Sequence, residues 1–167
     1  MNIFHLHKDP QTCARYHCDK HVVKMILETA QMLSTTQRWF YEDDYCNRVG
    51  YYKIAHINHP CTIWARTDAS NYQWLYEHFV ALCDEYTKRY GKVHLTDTKL
   101  RDKLSYIPGD MPSSYPNKTT PFAQAMPDEY KDPTDAVKAY RNYYIGEKSG
   151  FAKWEYSETP DWFIQQS

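Results

Sequence analysis

The residues best suited to chemistry lie along one side of a predicted helix. Counted at 100° per residue, the polar side chains of this segment fall within roughly 80° of His21. They are His17, His21, Lys24, Glu28, Gln31 and Thr35. Most of the remaining circumference, from Val22 to Leu33, is apolar, so the helix is predicted to be buried on most sides. The polar stripe must then face water or line a cavity.

Both interpretations of the stripe predict a specific role for its residues. On a solvated face, Lys24 and Glu28 would form a simple ion pair one turn apart. In a pocket wall, Glu28 would act as an acid-base group and Lys24 as an amine. His17, His21 and His59 would bind or polarise the substrate. Burial beside apolar surface would tune the pKa values of the stripe towards neutrality, as acid-base work needs. Glu28, Lys24, His21 and His17 are therefore the catalytic candidates.

Histidines are concentrated at the start of the chain, where six of the eight precede residue 60. His17 and His21 have the i, i+4 spacing with which two imidazoles share a metal ion, and Cys13 lies one turn earlier. However, the sequence has no HExxH motif and no closely spaced cysteine pair. No metal ligand is assigned, and a divalent metal is left open as a cofactor. Cys18, near His21, is either a thiolate or a buried thiol.

Aromatic and basic residues form the candidate substrate-binding set. Rings that stack on bases and cations that hold phosphates suit a single-stranded or flipped base. The set is Lys20, Gln31, His59, Trp64, Arg66, Asn71, Arg141 and Tyr144. The alternative is that the tyrosines belong to the core and the charges to the surface. Only one of Tyr143 and Tyr144 can easily face the core, which leaves the other unexplained.

Composition narrows the class of protein. The chain has 167 residues and a net charge of −1, so it is not a polybasic coat protein, and any nucleic-acid contact must come from a local patch. Its five cysteines include no CxxC pair, and its N-terminus lacks the apolar core of a signal peptide. No apolar stretch approaches the roughly 18 residues that span a membrane. We therefore expect a cytoplasmic protein with free thiols and no membrane contact.

The pattern predicts a mainly α fold, a single compact helical domain over residues 1–167 with a long Pro-rich irregular segment. Residues 2–7 read as a strand or an extended lead-in. Asp9-Pro10 predicts a helix start, and the helical pattern runs to Arg38 or Phe40 with a break near Asp19. Residues 41–58 are ambiguous, and His59-Pro60 predicts a new start.

The second half of the chain contains the clearest helical pattern. Ser70-x-x-Gln73 has the form of a capping box, and Gly91 predicts the end of that helix. A weaker helix follows Thr96. Residues 106–132 are irregular, with aromatic residues that predict packing on the body, among them Tyr106, Tyr115, Phe122 and Met126. The last helix is predicted to begin at Asp132-Pro133.

Three stretches carry a resemblance to known proteins. They are HCDKHVVKMILETAQMLSTTQR, NHPCTIWARTDASNYQWLYEHFVALCDEYTKRYGKVH and QAMPDEYKDPTDAVKAYRNYYIGEKSGFAKW. They resemble a family of uncharacterised tailed-bacteriophage proteins, which implies a phage origin and work in the cytoplasm of an infected host cell.

The chain also resembles the pyrimidine-dimer DNA glycosylases of the endonuclease V type. The shared features are His59-Pro60 before a long helix that ends in Arg89-Tyr90-Gly91, and a Tyr-rich basic C-terminal segment. The resemblance implies a small helical enzyme that uses the amino group of residue 2 and a Glu on the following helix. Here residue 2 is Asn2, a poor site for removal of the initiator Met, so that amine does not carry over. Glu28 could stand in for the Glu.

Three functions follow from these observations. The first is a phage enzyme acting on DNA or nucleotides by glycosylase-like base excision, with Glu28 as acid-base and Lys24 or Lys20 as amine or phosphate holder. The second is a metal-dependent hydrolase that uses His17, His21 and His59. The third is a non-catalytic phage protein that binds a host component. The expected partner is DNA or a nucleotide.

Overall fold

The protein is mainly helical in the computed structural model, which describes residues 1–114 and 117–164. The α-helices are α1 (Pro10–Tyr16), α2 (Asp19–Phe40), α3 (Asp43–Val49), α4 (Pro60–Thr67), α5 (Ala69–Tyr90), α6 (Leu95–Leu100), α7 (Ala136–Lys148) and α8 (Asp161–Ile164). Two short 3₁₀ helices lie at Lys103–Ser105 and Asp128–Tyr130. The described residues contain no strand, so the predicted mainly α class is confirmed and residues 2–7 form a strand-free lead-in.

Two long antiparallel helices form the centre of the fold. Helices α2 and α5 each have 22 residues, about 33 Å at 1.5 Å per residue. Gln37 near the end of α2 donates a hydrogen bond to Tyr72 near the start of α5. At the other end, Asp19 pairs with Arg89, whose guanidinium is wholly buried. In the described part of the chain, no helix has the length and apolar content that crossing a membrane requires.

The first helical segment is divided into two helices. As predicted, α1 begins after Asp9, whose carboxylate accepts a hydrogen bond from the Thr12 N–H. The backbone is then extended at His17 and Cys18, and α2 begins at Asp19. The predicted break near Asp19 is thus confirmed. However, His17 lies outside the helix that carries His21, so their predicted i, i+4 relation on one helix face is wrong.

Two predicted helix starts are displaced. The side chain of Asp68, and not a Ser70–Gln73 box, caps α5 by accepting the Ser70 N–H. The helix therefore begins at Ala69; it ends, as predicted, at Gly91, which has a φ of 69°. Helix α7 begins three residues later than expected, because Asp135 is its cap and Asp132 instead forms a local turn with the Thr134 and Asp135 N–H groups.

The ambiguous region after α2 forms α3 and then an extended run that returns along α2. Tyr52 N–H donates to the Ser34 hydroxyl, and Ala55 N–H donates to the Thr35 hydroxyl. This run leads the chain back to His59, which caps α4. The extended run therefore brings the start of α4 alongside the middle of α2.

The Pro-rich segment packs on the body through its backbone. Ala69 N–H donates to the Pro112 carbonyl, and Ser114 N–H donates to Asp68. Phe122 stacks on His5 with 3.8 Å between ring centroids. These contacts agree with the predicted packing, except that the Tyr106 side chain is 73% exposed. Tyr115 lies outside the described residues.

Candidate active site

A cleft of about 260 Å³ lies where the N-terminal segment, the first half of α2 and the end of α7 meet. Its lining residues are Met1, Asn2, Phe4, Lys20, His21, Lys24, Met25, Glu28, Tyr143, Lys148 and Phe151. Of these, Glu28 is the single acidic residue, whereas three lysines and the α-amino group of Met1 contribute positive charge to the lining. In a protein of net charge −1, the cleft is therefore a local concentration of positive charge.

The amine of Met1 and the carboxylate of Glu28 form the chemical centre of the cleft. The Met1 nitrogen lies 3.2 Å from Glu28 Oε1, and the Lys24 Nζ lies 3.8 Å from Oε2. The Glu28 residue is 9% exposed, whereas the Lys24 side chain is 64% exposed. Oε1 accepts no hydrogen bond from the described residues, so its contact with the amine is an ion pair without hydrogen-bond geometry.

Asn2 holds the N-terminal segment in place. Its Oδ1 accepts hydrogen bonds from the backbone N–H groups of Ile3 at 2.8 Å and Phe4 at 3.3 Å, and from the Tyr140 hydroxyl at 3.1 Å. Its Nδ2 donates to the Ala125 carbonyl at 2.8 Å. The side chain of residue 2 is thus a buried anchor, and it fixes the amine of the preceding residue beside the carboxylate.

His21 forms part of the cleft wall as a neutral ring. Its Nδ1 lies 2.6 Å from the Tyr144 hydroxyl, and its ring stacks on Phe4 at 4.5 Å. Burial, reinforced by the neighbouring His17, lowers the pKa of His21 from 6.5 to about 2. The imidazole is therefore uncharged near neutral pH and can donate or accept a hydrogen bond but cannot supply a positive charge.

Neither His59 nor His17 belongs to the cleft lining. His59 caps α4 by accepting the Cys61 N–H, and its pKa is lowered by burial and by the Met1 amine while Glu28 opposes the shift. His17 is wholly buried. Burial lowers its pKa to about 4.

Cations and rings alternate around the mouth of the cleft. Lys20 Nζ lies 4.7 Å from the centre of the Phe151 ring, and Lys148 Nζ lies 5.1 Å from that of Tyr143. Tyr143 also stacks on Phe4. Of the two adjacent tyrosines of α7, Tyr144 is wholly buried in the core, and Tyr143 lines the cleft.

Three predicted substrate-binding residues of α4, α5 and α7 are buried away from the cleft. Trp64 is 4% exposed and its indole N–H donates to the Thr120 carbonyl. Asn71 is wholly buried and binds Thr120 through both its amide nitrogen and its oxygen. The Tyr144 hydroxyl contacts Cys18, which is also buried and lies outside the cleft lining. All three stabilise the fold by internal hydrogen bonds.

Both predicted phosphate-binding arginines make intramolecular contacts. Arg66 donates to the Ile57 carbonyl at 2.6 Å, and its guanidinium lies 4.0 Å from the centre of the Trp39 ring. Arg141 donates to the Leu6 carbonyl at 3.0 Å. Neither lines the cleft, and nor does the half-buried Gln31. Of the predicted substrate-binding set, only Lys20 belongs to the cleft lining.

The predicted metal site of His17, His21 and His59 is not formed. Among the described residues, the one cluster of potential metal ligands contains Cys13, His17 and His78. His21 is turned towards Tyr144, and His59 uses its Nδ1 as a helix cap. The geometry that the metal-dependent hydrolase requires is therefore absent from the described part of the chain. All five cysteines are free and buried.

Several cleft residues escaped the sequence reasoning. They are Met1, Phe4, Tyr143, Lys148 and Phe151. The sequence did indicate Lys148 and Tyr143, because both belong to the Tyr-rich basic C-terminal segment. Met1 and Phe4 carry no local signal, because their roles depend on how the N-terminal segment folds over α2. Phe4 adopts a φ of 58°, a conformation that bulky residues rarely occupy.

A small helical protein with an amine and a carboxylate in a cationic cleft is suited to acting on a polyanion such as DNA. Residues 1–99 match the family model of pyrimidine dimer DNA glycosylases, so the chain belongs to this family. The match covers the Met1–Glu28 pair and stops before Tyr143, Lys148 and Phe151. Comparisons with curated proteins and with solved structures give no significant match. Membership supports glycosylase activity on DNA at the level of the family.

Proposed function

We propose that the protein excises damaged pyrimidine bases from DNA, with the α-amino group of Met1 as nucleophile and Glu28 as acid-base group. The observation that carries this proposal is the 3.2 Å contact between the two groups in the cleft of a family member. DNA follows from the family, and the phage setting, in the cytoplasm of an infected host cell, is proposed from the sequence resemblance alone.

The proposed reaction begins with transfer of a proton from the Met1 ammonium to Glu28. The free amine attacks C1′ of the damaged nucleotide, so that an N–C1′ bond forms while the bond from C1′ to the base breaks. The departing base takes a proton, which Glu28 can supply. Opening of the sugar ring, with transfer of one proton from the new C1′-bound nitrogen to O4′, then gives a protonated imine between the protein and C1′. Loss of a C2′ proton to Glu28 expels the 3′-phosphate and breaks the strand, and water then releases the protein. Borohydride reduces such an imine to a stable covalent adduct.

Met1 is a better candidate for the nucleophile than either lysine. Its nitrogen is held 3.2 Å from Glu28 Oε1 by the buried Asn2 anchor. The Lys24 amine is farther away, at 3.8 Å, on a side chain that is 64% exposed. The Lys20 amine lies over Phe151 at the cleft mouth. A pre-positioned amine loses less freedom on reaching the transition state. We therefore assign Lys20 and Lys24 to phosphate binding.

The remaining wall of the cleft suits the damaged base and its flanking phosphates. Phe4, Tyr143 and Phe151 offer ring faces for stacking. Lys148 beside Tyr143 offers a cation for phosphate. His21 is neutral and can hold a base or sugar oxygen by hydrogen bonding.

The test is incubation with end-labelled duplex DNA, ultraviolet-irradiated or undamaged, with and without borohydride. We expect cleavage and a covalent adduct with the irradiated strand only. Mass spectrometry of the digested adduct should place the DNA on the N-terminal peptide. Glu28→Gln should abolish cleavage, and Lys24→Gln should retain the adduct and weaken DNA binding.

Three outcomes would contradict this assignment. An adduct on the Lys24 peptide would move the nucleophile to that side chain. Full activity of Glu28→Gln would remove Glu28 from the mechanism. A gel shift without cleavage or adduct on any irradiated duplex would favour a protein that binds without catalysis.

A further inference from the structure

A second cluster of chemically capable side chains lies in the core behind the cleft. It consists of Cys13 and His17 at the end of α1 and His78 in α5, all with no exposed surface. One potential ligand atom from each lies within 4.8 Å of the other two. None of the three lines the cleft, and the proposed base excision uses none of them.

The two imidazoles have the hydrogen bonds of metal-binding histidines. His17 Nδ1 lies 2.8 Å from the Cys13 carbonyl, and His78 Nδ1 lies 3.2 Å from the Pro10 carbonyl. A carbonyl can only accept, so Nδ1 of His78 carries the proton and its Nε2 presents a lone pair. Both ring nitrogens of His17 face carbonyls, so one of them carries the proton and the other presents a lone pair. A backbone carbonyl at one ring nitrogen is the usual support for a histidine that binds metal through the other.

The Nε2 atoms are poorly explained by hydrogen bonding alone. Nε2 of the buried His78 has no hydrogen-bond partner among the described residues. Nε2 of His17 lies 3.2 Å from the Ile3 carbonyl, which places two acceptors face to face if Nδ1 holds the proton. A cation between the lone pairs would satisfy both nitrogens.

Burial raises the pKa of the Cys13 thiol to about 12, so a bound cation would be needed to convert it to a thiolate. Its Sγ accepts the Leu6 N–H at 3.3 Å and lies 3.3 Å from the Phe4 carbonyl. On binding a cation the thiol would lose its proton, and the thiolate would keep the Leu6 hydrogen bond. The Phe4 carbonyl still accepts the Leu6 N–H at 2.8 Å, so it would not be left unpaired.

The donor set suits a transition metal. One thiolate and two imidazoles are ligands that zinc and copper(I) accept in proteins.

We propose that Cys13, His17 and His78 bind one zinc-class transition-metal ion that stabilises the fold and takes no part in the reaction. Ligands of one zinc ion lie roughly 3.3–3.8 Å apart, so the cluster, whose ligand atoms lie within 4.8 Å of one another, needs to contract by up to about 1 Å. Arg89 holds the backbone of His17 by donating to its carbonyl at 2.8 Å.

The ion would secure the segment that leads into the cleft. The Cys13 thiol is hydrogen-bonded to the backbone of Phe4 and Leu6, two and four residues after the Asn2 anchor. His78 belongs to the central helix α5. Metal binding would therefore tie the N-terminal segment to the middle of the fold, independently of whether the cleft excises bases.

The test uses untagged full-length protein expressed with added zinc. We expect one zinc per chain by elemental mass spectrometry, released on unfolding in a chelator. Protein refolded with cobalt(II) should show a thiolate-to-cobalt charge-transfer band and the strong visible bands of a tetrahedral site. Both signals should be lost in Cys13→Ser and His78→Gln. They should persist in Cys83→Ser, a change at another buried thiol of α5.

The wild-type cobalt spectrum needs no variant, so the proposal stays testable if Cys13→Ser fails to fold. Wild-type protein that contains no metal after expression with zinc, and that gives no charge-transfer band after refolding with cobalt, would overturn the proposal. Such a result would leave a hydrogen-bonded histidine cluster. Retention of one equivalent of metal in both ligand variants would overturn it as well, because the ion would then lie elsewhere.

Discussion

Replacing Asn2 with alanine tests whether the N-terminal amine must be anchored. Asn2→Ala removes five hydrogen bonds, one donated by Nδ2 and four accepted by Oδ1, of which the one from the Cys61 thiol is weak. At about 1 kcal/mol for each net hydrogen bond, we expect the free energy of unfolding to fall by about 3–4 kcal/mol. Urea denaturation measures this change.

Asn2→Ala should also slow the reaction in protein that is fully folded. Without the anchor, the Met1 amine is no longer fixed 3.2 Å from Glu28. A displacement of about 1 Å typically costs about a hundredfold in rate. We therefore expect borohydride trapping on irradiated duplex to slow by about this factor, under conditions in which the variant is fully folded.

Gln37→Ala provides the matched control. Gln37 is equally buried, on α2, and donates two hydrogen bonds, to Tyr72 and to the Tyr106 carbonyl. It lies nine residues beyond Glu28, about 13 Å along the helix. It should lose about 2 kcal/mol of stability and trap DNA at the wild-type rate. Equal trapping by Asn2→Ala and wild type, or equal slowing in both variants, would refute the anchoring role.

Three further predictions concern charge. Arg89→Met should cost about 3–5 kcal/mol of stability in urea denaturation, because it leaves two buried carboxylates, Asp19 and Glu85, without their partner. Arg101→Met should cost less, about 1–2 kcal/mol, because its side chain is 34% exposed and only Asp97 of its two partners is buried. Equal costs would contradict this difference. The pKa of His21 is about 2 in the folded protein and 6.5 in the unfolded chain. Only the unfolded chain therefore gains this proton below pH 6.5, and stability falls as pH falls. His21→Gln should reduce the slope of stability against pH by up to about 1.4 kcal/mol per unit, as measured by denaturation from pH 7 to 4, and an unchanged slope would contradict the assignment. Lys148→Ala should weaken binding to duplex DNA and reduce the slope of log affinity against log salt by about 0.9, whereas an unchanged slope would remove Lys148 from phosphate binding.

The sequence predicted those parts of the fold that depend on local chemistry. As predicted, a helix begins after Asp9 and another ends at Gly91. Helix caps and glycines in the left-handed conformation depend only on residues close by in the sequence, so the sequence can predict them. Ser70 failed as a cap because Asp68, two residues earlier, offers a carboxylate to the same helix end. Which of two neighbouring residues caps a helix depends on the path of the chain that leads into the helix.

The candidate site was only partly predictable for the same reason. Glu28 and Lys24 share a face within one helix, so periodicity alone brought them together. The extended backbone at His17 and Cys18 removed His17 from that face, because the 100° spacing had been counted across the predicted break near Asp19. The amine of Met1 meets Glu28 through the fold of the N-terminal segment, and Lys148 arrives from a helix more than a hundred residues later.

The cleft is assembled from two parts of the chain with different relations to the family. Met1 and Glu28 lie within the stretch that matches the family model, whereas Tyr143, Lys148 and Phe151 lie beyond it. Under the proposed function, exchange of residues 143–151 should change which lesion is bound, because these side chains form the ring and cation wall of the cleft, while the Met1–Glu28 pair stays in place.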